Sequence, residues 1–86
     1  MEVFHHQDEA YARWRADHPA GYVLNVRPGD PPALHRATCR SLRAVGSTRG
    51  KSSTSIPKVC GTDRSELAAW ARVAGRSIEP CGNCGV

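Results

Sequence analysis

Aromatic residues are scarce in this 86-residue chain: Phe4, Tyr11, Trp14, Tyr22 and Trp70 are all it has. So few large side chains make a thin core, and a chain this short buries only about 60–65% of its unfolded surface. Small scaffolds with thin cores usually carry a staple. Long apolar runs are missing too, and nothing approaches the ~20 residues that span a bilayer. The first twenty residues hold Glu2, Asp8 and Glu9 and no apolar stretch, so no secretory leader is expected. These absences argue against a membrane protein, a secreted precursor and a large multi-domain enzyme. One small cytoplasmic domain over residues 1–86 is expected.

Acidic residues are absent from 33–58, although that segment contains Arg36, Arg40, Arg43, Arg49, Lys51 and Lys58. Residues 1–32 are slightly acidic and residues 59–86 are balanced, so the net charge of +4 arises in the centre. A basic segment of this kind suits phosphate or another polyanion. Arginine dominates the basic residues, and its planar fork matches phosphate better than an ammonium does. A merely solubilising loop is the plainer alternative.

Periodicity predicts a short helix over Gln7–Asp17, with acids in its first turn and Tyr11, Trp14 and His18 along one face. His18-Pro19 ends it, because the residue before proline is pushed out of helical geometry. A strand over Gly21–Val26 follows, with Tyr22, Leu24 and Val26 on one side. Residues 27–32 read as a turn-rich connector. From Ser41 to Ser55 the chain has linker composition and reads as a mobile loop, basic over 43–55. Ile56–Cys60 is a second candidate strand. Asp63 and Glu66 make a capping box that opens a helix over Arg64–Ala74, with Leu67, Trp70, Ala71 and Ala74 as its stripe. Trp70 is expected in the core, and Gly75 suits the residue after the helix. The tail 79–86 has no room for another element and needs an anchor.

Four cysteines and one histidine supply that anchor. Cys81-Gly82-Asn83-Cys84 is a tight C-x-x-C, and Leu34-His35-Arg36-Ala37-Thr38-Cys39 contains an H-x-x-x-C pair. Tetrahedral zinc takes four nitrogen or sulfur ligands, and His35, Cys39, Cys81 and Cys84 provide them. Structural zinc is worth on the order of 10–16 kcal/mol of apparent binding energy, ample for a weak core. Cys60 rivals His35 for the fourth place, though a single strand cysteine usually behaves as a small buried hydrophobe. Disulfides are the remaining reading of the four cysteines.

The order His35-Arg36-Ala37-Thr38-Cys39-Arg40-Ser41-Leu42, a helix ending Ala74-Gly75, and Pro80-Cys81-Gly82-Asn83-Cys84 resembles the zinc-binding domain of the Ada family of DNA-repair methyltransferases. The likeness covers residues 34–85, leaving residues 1–33 as a helix–strand extension. It implies one zinc ion on His35, Cys39, Cys81 and Cys84, and an association with DNA. His35 stands where the family has a cysteine that accepts a methyl group from a DNA phosphotriester. An imidazole bound to metal has its coordinating lone pair occupied and lacks thiolate nucleophilicity.

Other motifs carry less. Gly46-Ser47-Thr48-Arg49-Gly50-Lys51-Ser52 has three residues between its glycines where a phosphate loop needs four, so no nucleotide is expected. His5-His6 reads as a solvated pair, and His18 as a packed or capping residue. No set of acids or nucleophiles forms a catalytic constellation. The expectation is an α+β, zinc-stabilised small domain with short strands and two helices. Its expected work is non-catalytic binding of DNA phosphates through Arg36, Arg40, Arg43, Arg49, Lys51 and Lys58. The alternatives are a protein-interaction module, using the acidic first helix or an exposed Trp14, and an Ada-like methyl acceptor at Cys39 or Cys60.

Overall fold

The computed structural model describes residues 1–39, 42 and 54–82. Their fold is α+β. Strands β1 (Glu2–Phe4), β2 (Tyr22–Asn25), β3 (Ala33–Arg36), β4 (Lys58–Gly61) and β5 (Glu79–Pro80) accompany helices α1 (Asp8–Asp17) and α2 (Arg64–Val73). The strands join in the order β1-β4-β2-β3-β5, antiparallel throughout except for the parallel pair β3 and β5.

Alternation along the strands divides the core in two, because successive side chains point to opposite faces. Phe4, Val23 and Cys60 pack with Tyr11 and Trp14 of α1. Leu24, Leu34 and Val59 pack with Leu67 of α2, and Tyr22, Val26, Trp70 and Ile78 close in around them. Five aromatic residues suffice because each face needs to cover only one short helix. Trp14 is 7% exposed, so it is a core residue and offers no external contact.

Helix α1 begins one residue later than expected, with Gln7 at the cap position. Its first turn is tied to a distant residue. Thr54 donates to the Asp8 carboxylate from its backbone N–H (3.0 Å) and from Oγ1 (2.6 Å), while the Gln7 N–H donates to Thr54 Oγ1 (2.7 Å). The Thr54 side chain is fully buried there, so residue 54 is anchored to the start of α1. At the other end, His18 Nδ1 donates to the Trp14 carbonyl (2.9 Å), and the two rings stack 4.6 Å apart. Both roles foreseen for His18, packing and capping, are realised together.

Asp63 caps α2 by accepting from the Ser65 N–H (3.0 Å) and hydroxyl (2.8 Å). The Glu66 carboxylate lies 3.6 Å from the Met1 amine. After the cap residue Ala74, Gly75 takes φ +73°, and the Arg76 N–H bonds to the Ala71 carbonyl (2.8 Å). This is the left-handed ending that glycine permits without a Cβ clash. Leu67 and Ala71 are buried and Trp70 is half-buried, whereas Ala74 is exposed because the stripe has already run off the sheet.

Three strands depart from the sequence reading. β1, β3 and β5 are two to four residues long and carry no apolar alternation of their own. The tail does contain an element: the Glu79 N–H donates to Pro32 O and the Cys81 N–H to Leu34 O, both at 2.8 Å. β1 and β2, both from residues 1–33, hold β4 between them. No helix among the described residues is long and apolar enough to cross a membrane.

Gly21 sets how closely α1 approaches the sheet. A Cβ there would lie 2.8 Å from Trp14 Cη2 and within 3.2 Å of the His18 and Gly61 carbonyl oxygens. An indole ring and two backbone atoms cannot all give way. Gly21→Ala should therefore lower stability by about 1–3 kcal/mol in urea denaturation, the usual range for overpacking.

Candidate metal centre

The parallel pairing of β3 and β5 brings together residues that are more than forty positions apart. His35 sits on β3, and Leu34 on the same strand pairs with Pro80. The next residue, Cys81, is fixed by its N–H bond to the Leu34 carbonyl. Beyond β3 the chain turns, and the Cys39 N–H bonds back to the Arg36 carbonyl (2.9 Å), which returns Cys39 toward His35. Two further bonds hold this turn: Ala37 N–H to Gly21 O (2.9 Å), and Arg15 Nε to Ala37 O (2.8 Å). Helix α1 thus supports the centre through Arg15, a residue whose role has no sequence signature because it acts on a backbone oxygen.

The result is a group of three metal-type donors, from His35, Cys39 and Cys81, all within 4.8 Å of one another. The two sulfurs are 3.8 Å apart, well beyond a disulfide bond, and both cysteines are reduced. His35 is 8% exposed, and its Nδ1 is buried without a hydrogen-bond partner. A buried polar atom left unpaired costs about 1–3 kcal/mol, so the His35 ring has capacity for a further partner. Burial, and then the positive charges of Lys58 and Arg27, push the His35 pKa below its ordinary value. The ring is accordingly neutral at physiological pH, which is the form that binds metal. This group could hold a metal ion.

Cys60 stands outside the group. On the face toward α1, Cys60 of β4 is registered with Val23 of β2, and Val23 with His35 of β3. A whole strand separates Cys60 from His35, which places their backbones about 9–10 Å apart. Fully buried, Cys60 has its thiol pushed up to about 12 by burial first and then by Glu2. It is a core hydrophobe rather than the rival ligand, and as a neutral thiol it makes a poor methyl acceptor. Cys84 lies outside the described residues.

The basic residues divide in the same way. Arg36 is exposed, immediately after His35. Arg40, Arg43, Arg49 and Lys51 lie outside the described residues, as does the segment Gly46–Ser52. Lys58 corrects the sequence reading: it is 1% exposed, with Nζ donating to Asn25 Oδ1 (2.8 Å) and the Ile56 carbonyl (3.1 Å). An ammonium enclosed in this way cannot reach a phosphate. Its charge is only partly compensated, and burial lowers its pKa to about 8.

No protein-family model matches the chain, and neither a curated protein nor a solved structure is significantly similar to it. The centre therefore has to be read from its own geometry.

Two measurements follow from these groups. Titration of the reduced protein with Co2+ should saturate at one ion per chain with sulfur-to-metal charge-transfer absorption, and Cys81→Ser should weaken both. The second concerns pH. Lys58 titrates near 8 when folded and 10.5 when unfolded, while Cys60 titrates near 12 and 9.0 respectively. From pH 8 to 9 the unfolded chain binds the extra proton at Lys58, so stability should rise, by about 1 kcal/mol per pH unit. Above pH 9 the folded chain keeps a proton at Cys60 that the unfolded chain loses, and the rise should stop. Lys58→Met should abolish the rise between pH 8 and 9 and bring forward the alkaline fall.

Proposed function

We propose that the chain is a zinc-pinned, non-catalytic module that binds DNA through phosphate contacts. The observation that carries the metal half is the 3.8 Å spacing of Cys39 Sγ and Cys81 Sγ. Two thiolates each ~2.3 Å from a tetrahedral zinc ion sit about 3.8 Å apart. With His35 as third ligand and Cys84 as the fourth, the ion would tie the tail to the turn after β3. Zinc here supplies structure alone, since four protein ligands leave no open position for chemistry.

The DNA half rests on where the sequence places the basic residues. Arg36 and Arg40 flank the ligands in sequence, and Arg43, Arg49 and Lys51 follow, with no acid over 33–58. Lys58 drops out because it is buried. The resemblance to the Ada zinc-binding domain supports the same reading, while His35 in the acceptor position weighs against methyl transfer.

One feature favours a second reading, a protein contact. Met1, Glu66, Ala69, Trp70 and Val73 line an apolar groove beside α2, and Val73 is 91% exposed. Salt separates the two readings. Fluorescence anisotropy of the zinc-loaded protein with a labelled duplex should show affinity falling with a log–log salt slope of about −3 or steeper, since each phosphate contributes roughly −0.9. Replacing Arg40 and Arg43 by alanine should make that slope shallower by nearly two phosphates. Absence of binding at low salt would move the search to a protein that fits the α2 groove.

A further inference from the structure

The geometry points to Cys81 and Cys39 as a modification site for hydroperoxides, in which oxidation converts the metal-binding pair into a disulfide; this rests on the metal reading given above. The two sulfurs are 3.8 Å apart, so a bond of ~2.05 Å needs a closure of less than 2 Å. The partners are not equivalent. Cys81 is only partly buried and follows a two-residue edge strand, whereas Cys39 is 3% exposed inside the α1-facing core. Solvent and a small oxidant reach Cys81 first.

The chemistry then has two steps. The Cys81 sulfur attacks the outer oxygen of a hydroperoxide: an S–O bond forms, the O–O bond breaks, and the departing alkoxide takes a proton to become an alcohol. Cys81 is now a sulfenic acid, oxidised by two electrons. The Cys39 sulfur attacks that sulfur, an S–S bond forms, the S–O bond breaks, and the departing hydroxide takes a proton from solvent to become water. Two thiolates, two protons from solvent and one hydroperoxide give a disulfide, an alcohol and water. Neither sulfur in a disulfide is a thiolate, so both cysteines lose their hold on the ion and the four-ligand set falls to two, too few to retain it. The tail remains tied to the turn, now covalently, and the Cys81–Leu34 backbone bond need not break.

The test uses the zinc-loaded chain with one equivalent of hydrogen peroxide, a metallochromic dye in solution and intact mass. The expected result is release of the ion together with a loss of about two mass units, both reversed by dithiothreitol. Trypsin should then join peptide 37–40 to peptide 77–86, with fragmentation locating the bond at Cys81. Dimedone should label Cys81 in a Cys39→Ser chain at least tenfold faster than it labels Cys39 in a Cys81→Ser chain. Cys60→Ala should leave release within twofold of the unmodified protein. A bond between Cys81 and Cys84, over-oxidation of Cys81 without a link, or retention of the ion by the linked protein would each overturn the proposal. If the chain binds no zinc at all, the metal reading fails separately, and peptide mapping of the oxidised metal-free protein still decides the sulfur pair.

Discussion

The backbone bond from the Cys81 N–H to the Leu34 carbonyl governs the molecule. It extends the parallel pairing of β3 and β5 by one residue and sets Cys81 beside His35. Without it the tail has only the two residues of β5 in the sheet, and two residues of parallel ladder hold little. A metal ion on His35, Cys39 and Cys81 would reinforce that same connection from the side-chain direction. Backbone register and donor chemistry thus act on one point. Arg15 adds a third support from α1, through the Ala37 carbonyl.

The helices and two of the strands were legible in the sequence because each carries a local signal. Tyr11 and Trp14 share a helical face, Asp63 and Gly75 punctuate α2, and Tyr22 and Leu24 alternate along β2 with Val26 just beyond it. β1, β3 and β5 carry no such signal. Ala33–Arg36 has one large apolar residue, and Glu79–Pro80 includes a proline that lacks a donor. Their pairing is set by neighbours distant in sequence. The ligand set was partly legible from spacing, whereas the choice between His35 and Cys60 required the register through Val23. Lys58 shows the limit of reading charge from a string. Nothing in the sequence says that Asn25 and the Ile56 carbonyl will enclose its amine.

Burial divides the cysteines into distinct chemistries. Cys60 is sealed in the sheet with a raised pKa, and it serves the core as a small apolar side chain. Cys39 belongs to the same apolar cluster, yet its sulfur faces another donor. Cys81 lies at the border between core and solvent. The described cysteines therefore comprise an inert thiol, a sheltered thiol and an accessible thiol, distinguished by depth and by their distance from His35.

The pairing of Leu34 with Pro80 also constrains the order of folding. Contacts so far apart in sequence form late, because the loop between them must close before it is rewarded. The antiparallel pair of β2 with β3, whose partners are close in sequence, must already stand for β5 to find its edge. Cys81 reaches His35 and Cys39 only after that step. A metal ion held by this group would then arrive as a latch on a formed β2–β3 pair rather than as the nucleus around which it grows.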